Sequence, residues 1–98
     1  MNKPTFYIKE NSWQARLAAK KMNAYSVAMV LGKTIHLWGT SKKNFLADEC
    51  WVKHELCHIK QFAEHGYVGF IIKYLWESLK VGYYNNKFEV EAREAEKE

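Results

Sequence analysis

The pentapeptide "HELCH" at residues 54–58 limits this chain more than any other stretch, because two histidines four apart act together only on a helix. There, β-carbons four positions apart lie about 5–6 Å from each other on one face. Two imidazoles so placed can converge on one ion at Zn–N distances near 2.1 Å. Glu55 lies about 100° around the helix from His54. It is badly placed as a third ligand of the same turn and well placed to act on a water at the metal, the work of a general base. The plain alternative is a pair of histidines that cap a helix or reach solvent.

The surrounding segment, about Phe45 to His65, reads as one long helix closed by Gly66. Val52, Leu56, Ile59 and Ala63 form an apolar stripe, and Trp51 and Phe62 extend it towards the histidines. Such a helix is buried over most of its girth, and a histidine at its centre needs a polar partner. A metal site would need a third protein ligand from elsewhere. His36 falls on a strand, His65 lies about 10 Å beyond His58 by helical rise, and Cys57 is on a different face. Glu89 and Glu91, on the last helix, are the natural carboxylates. Residues two apart on a helix point about 200° away from each other, so only one of them can face the metal. Glu89, Ala92 and Glu96 share a face, and small Ala92 permits close approach to the central helix. Asn86 followed by Glu89 also fits a capping box, in which Glu89 turns back to the Asn86 amide instead.

The remaining segments supply an α+β frame. "TFYI" at 5–8 reads as a strand, and 11–23 as a helix capped by Asn11 or Ser12. Residues 25–31 and 33–38 form a hairpin turning at Gly32-Lys33, and 39–44 a loop. A helix over about 68–81 ends near Gly82, 83–86 connects, and 87–98 is a strong helix former. In "FIIKYLWESLKVGYY" the apolar positions 71, 75, 79 and 72, 76 read as core rather than as a membrane patch. The order β-α-β-β-α-α-α over residues 1–98 describes a single domain, its hairpin-containing sheet packed on the central helix and two further helices following.

Composition narrows the partners. At 98 residues the core is modest and a bound metal would help to hold it. With 48% apolar residues the chain is not of the disordered class. Residues 1–88 carry a charge of +7 and residues 89–98 a charge of −3. A basic body can meet nucleic acid or anionic lipid, but a solubilising surface explains it as well, and nucleic acid is not the expected partner. Cys50 and Cys57 would be about 10 Å apart on one helix, too far for a disulfide, so both read as free thiols. Free thiols and the lack of an apolar leader in "MNKPTFYIKE" fit a cytoplasmic location. "YVGFIIKYLW" is too short to span a bilayer.

"HELCH", some thirty residues, and then "NKFEVEAREAE" together resemble the gluzincin-type zinc metallopeptidases, most closely their short single-domain members, the minimal gluzincins. The hairpin "YSVAMVLGKTIHLWG" is similar to the strands that lead into the active-site helix of that fold. The resemblance implies a small zincin-like domain, zinc (Zn2+) held by His54, His58 and Glu89, and Glu55 as catalytic base in peptide hydrolysis. It also implies a peptide or protein substrate. The position four after Glu89, where many such enzymes have an acidic or amide support for a ligand histidine, is Arg93 here, so another group must orient His54. Tyr83 or Tyr84 could offer a hydroxyl to an oxyanion, although connector tyrosines more often pack their rings. The alternative function is a zinc-binding interaction or regulatory protein with a vestigial site; a plain α+β domain without metal is the third.

Overall fold

The computed structural model describes residues 5–98. The chain runs β1 (Tyr7–Lys9), α1 (Trp13–Met22), β2 (Val27–Leu31), β3 (Thr34–Trp38), α2 (Lys42–Ala47), α3 (Glu49–His65), α4 (Tyr67–Asn85) and α5 (Lys87–Ala95). Among the described residues three strands and five helices make an α+β fold of the expected class. The sheet order is β1-β3-β2, with β1 parallel and β2 antiparallel to β3.

The hairpin is set by its turn. Leu31 pairs with Thr34, leaving Gly32-Lys33 as a two-residue loop, and Gly32 takes φ +66°, a conformation costly for side chains with a β-carbon. Alternation along β3 then assigns two different cores. Ile35 and Leu37 meet Val30, Phe45, Ile59, Phe62, Phe70 and Phe88 on the helical side. On the other face Val27 packs with Ala15 and Ala19 of α1, with Met29 and Trp38 at the margin. His36 faces α1 and is buried as well. Its Nδ1 lies 2.7 Å from Ser12 Oγ, the N-cap hydroxyl of α1. Burial, with a smaller push from Lys9, keeps the His36 pKa below its ordinary value. One serine thus caps a helix and satisfies a histidine that the sheet buries.

Three expectations need correction. The long helix expected over Phe45–His65 is two, and the expected 39–44 loop ends early. Ser41 caps α2 by accepting from the Asn44 amide, and Asp48, in extended backbone, accepts from the Trp51 amide at 3.0 Å to start α3. The buried face of α3 is also rotated from the expected apolar stripe. Ala63 is exposed, while Glu55, His58, Ile59, Gln61 and Phe62 are buried, because α4 and α5 both pack on the polar side of the helix. Finally, α4 turns inward through Phe70 and Tyr74, and Ile72, Leu75, Trp76 and Leu79, expected in the core, are exposed. The expected end near Gly82 is a kink, where Gly82 breaks the helix at φ +83°, but residues 83–85, expected as a connector, are helical, and only Asn86 separates them from α5.

The Ser12–His36 link carries a prediction. Ser12→Ala removes the cap and leaves a buried imidazole unsatisfied, so stability should fall by about 1–3 kcal/mol. Urea unfolding measures it; an unchanged midpoint would contradict the shared role.

Candidate metal centre

The side chains of His54, His58 and Glu89 come together as a group able to hold a metal ion, with one donor atom from each lying within 4.8 Å of the others. The histidines stand on α3 and Glu89 on α5, where α5 packs along the polar side of α3. Their rings are 5.0 Å apart between centroids. His54 Nε2 is 3.0 Å from Glu89 Oε1, and His58 Nε2 is 3.3 Å from Glu89 Oε2. Tyr74 of α4 donates its hydroxyl hydrogen to Glu89 Oε2 at 2.5 Å. Three helices therefore meet at one carboxylate, itself buried.

Glu89 does not take the capping role. Asn86 Oδ1 accepts from the Phe88 amide and so caps α5 alone, while the Asn86 side-chain amide donates to the Tyr74 carbonyl and to Ser78 Oγ. Glu91 is turned away and accepts from Gln61 Nε2 at 2.6 Å. Cys57 stands apart from the three-residue group; burial, aided by the charge of Glu91, lifts its thiol pKa to about 11, so it is inert at neutral pH.

The outer nitrogens of both histidines are held, and the holding fixes the tautomer. Gln61 Nε2 faces the Phe88 carbonyl at 3.1 Å, and a carbonyl only accepts. The Gln61 amide oxygen must then be the atom facing His58 Nδ1 at 2.8 Å, so that nitrogen carries the hydrogen. His54 Nδ1 likewise faces Glu96 Oε2 at 2.7 Å and donates to it. In the neutral form each ring then aims the lone pair of Nε2 at Glu89. Two lone pairs aimed at a carboxylate repel unless a proton or a cation stands between them. This donor set suits a divalent ion with nitrogen and oxygen ligands.

The sequence left the partner of His54 open because Arg93 occupies the expected place. Glu96, two turns along α5 from Glu89, provides it. Arg93 instead lies over the Tyr84 ring at 4.1 Å and donates to the Tyr84 carbonyl. Gln61 and Tyr74 were not singled out by the sequence reading. Gln61 could have been found as the polar residue three after His58. Tyr74 shows only as the residue four after Phe70, and nothing local marks its hydroxyl.

Electrostatics follow the geometry. Burial works against the charged forms of His54 and His58, but bonds to Glu89, with Glu96 for His54, outweigh it and raise both pKa values. Burial alone would raise Glu89; the two histidines and Tyr74 hold it far below the ordinary carboxylate range. Glu55 differs. It is buried at the wall of a cleft of about 700 Å³ that also includes His54, His58 and Tyr83. Burial pushes its pKa to about 8, against the charge of His58 and with that of Glu89. A dication beside it would act in the opposite sense.

Two measurements test the assignment. Glu89→Gln should weaken zinc binding by orders of magnitude while Glu91→Gln keeps it, read by titration against a zinc indicator. The reverse order would remove Glu89 from the ligand set. Glu96→Gln should lower zinc affinity roughly 10–100-fold with the fold intact; an unchanged affinity would make the His54–Glu96 bond irrelevant to the metal. Compared with known proteins, the chain matches no family model, no curated protein and no solved structure.

Proposed function

We propose that the chain is a zinc-dependent peptidase built as a small zincin-like domain. One observation carries the reading. A carboxylate from α5 meets both histidines of the HExxH helix while the glutamate between them lines the same cleft.

His54, His58 and Glu89 would hold the zinc. Zinc bound there would supply Lewis acidity for the scissile carbonyl and the attacking water. Glu55 takes the proton of that water and passes it to the leaving amine. Its burial supports the role, because a carboxylate shielded from solvent is more basic than an exposed one. Tyr83, on the same wall, has its pKa pushed to about 12 by burial and by the charges of Glu89 and Glu55. It stays protonated at neutral pH and can donate to an oxyanion. Tyr84 is exposed and stacks under Arg93, outside the residues that line the cleft.

The substrate side is supported by the sheet. Among the described residues β2 pairs with β3 on one side only, so its outer edge offers unpaired backbone groups, and its residues Val27–Leu31 line the cleft together with the preceding Ser26. An extended peptide can add to that edge, its backbone bonded to β2 and its scissile bond carried past Glu55. Apolar walls from Phe62, Phe70 and Ile71 suit apolar side chains of the substrate.

Glu55→Gln keeps the shape and loses the basicity. The variant should bind zinc as the parent does and cleave an unstructured protein such as casein at least 100-fold more slowly. Equal cleavage by both would remove Glu55 from the mechanism. Zinc binding with no cleavage by the parent would assign the chain to the other reading, a zinc-binding interaction protein.

A further inference from the structure

The outward side of α4 is unpartnered and apolar. Val68, Ile72, Leu75, Trp76 and Leu79 follow one another along about 16 Å of helix, and each is between 57% and 81% exposed. The inward side is taken up by Phe70 and Tyr74, so the stripe lies on the solvent side of the helix, with Leu75 at the rim of the cleft. Tyrosines are exposed at both ends of the helix, Tyr67 at one and Tyr83 and Tyr84 at the other. The exposed charges on α4 are cationic. Lys73 is exposed, Lys80 is 52% exposed, and Glu77, the one carboxylate of the helix, is 13% exposed and turned to Lys80.

We propose that this face of α4 docks the domain on the surface of an anionic lipid bilayer. Aliphatic side chains flanking a tryptophan, tyrosines at the ends and lysines at the margin are what the boundary between headgroups and acyl chains accepts. Lysine stems can run along the apolar surface while their ammonium groups stay among the phosphates. The charge complementarity selects lipid carrying negative charge: the exposed charges beside the stripe, Lys73 and Lys80, are cationic, and the chain carries +4 overall. No helix among the described residues is long and apolar enough to cross a membrane, so the attachment is interfacial. A second copy is a poorer fit, because a stable protein interface engages about 20–30 residues a side and this stripe offers five. Leu75 belongs both to the stripe and to the cleft wall. If the peptidase reading holds, docking would set the cleft mouth against the lipid and favour substrates at the membrane surface; the docking itself does not require that reading.

The test is sedimentation with vesicles of phosphatidylcholine alone and of phosphatidylcholine with phosphatidylglycerol, using the metal-loaded protein. The parent should sediment with the anionic vesicles and much less with the neutral ones. Ile72→Ser/Trp76→Ser/Leu79→Ser, side chains already in water, should keep the parent's circular dichroism and bind at least roughly tenfold more weakly. Lys73→Gln and Lys80→Gln should each weaken binding roughly fivefold at low salt. A parent that ignores both vesicles, or a triple variant that binds as the parent does, overturns the proposal. A dimer in ultracentrifugation that the triple variant abolishes, without vesicle binding, overturns it in favour of a second copy. Because Glu55→Gln leaves the stripe untouched, it should bind vesicles like the parent, which separates failure of docking from failure of catalysis.

Discussion

The Glu89 carboxylate is the point on which the helical half of the domain closes. A charge buried this far is costly unless every oxygen lone pair finds a donor or a cation. Here one oxygen faces His54 and the other faces His58 and Tyr74, which draws α3, α4 and α5 to a single position. The same demand explains the polar side of α3. Gln61 is almost completely buried, yet all its polar atoms are used, on His58, the Phe88 carbonyl and Glu91. A hydrophobic helix face would pack α5 equally closely but would leave the histidine rings free to turn. The polar face fixes their orientation as a condition of folding.

Much of this was legible in the sequence, for reasons that differ by element. The hairpin was readable because alternation and the Gly32 turn are local. His54 and His58 were readable as a pair because residues four apart share one face of a helix. Direction left room for only one of Glu89 and Glu91 beside the histidines, the resemblance pointed to Glu89, and the structure turns Glu91 to Gln61. The break at Asp48 was missed although its signal was present: Asp48 stands three before Trp51 as Ser41 stands three before Asn44, and both are caps. Continuous helix propensity through 45–65 hid the break at Asp48, and the polar run 39–44 read as a loop hid the cap at Ser41, since propensity is a weak prior and a cap is a specific bond.

The support of His54 was legible only in part. Glu96 falls on the face of Glu89, seven residues and two turns on, but nothing in the sequence joins it to His54, and the position where such support is expected holds Arg93. The inward face of α4 was misread for a different reason. Its apolar residues cover most of the helix, so periodicity could not choose a side. The choice was made by Phe70 and by the hydroxyl of Tyr74, whose partner lies on another helix. The two-sided burial of β3 likewise depends on where α1 lands, and no pattern within "KTIHLW" records it.

The bond between α5 and α3 also has a meaning for the unfolded chain. α5 has nine residues, too few to persist as a free helix in water. It is held by groups about thirty residues earlier in the chain, across the whole of α4 and the Gly82 kink. Joining such distant points costs loop-closure entropy, which grows only slowly with length. The cost is met once, when the buried carboxylate finds its donors. Order at the end of the chain and closure of its middle are then one cooperative event, so α5 should lose its amide protection together with the docking of α4 rather than by fraying on its own.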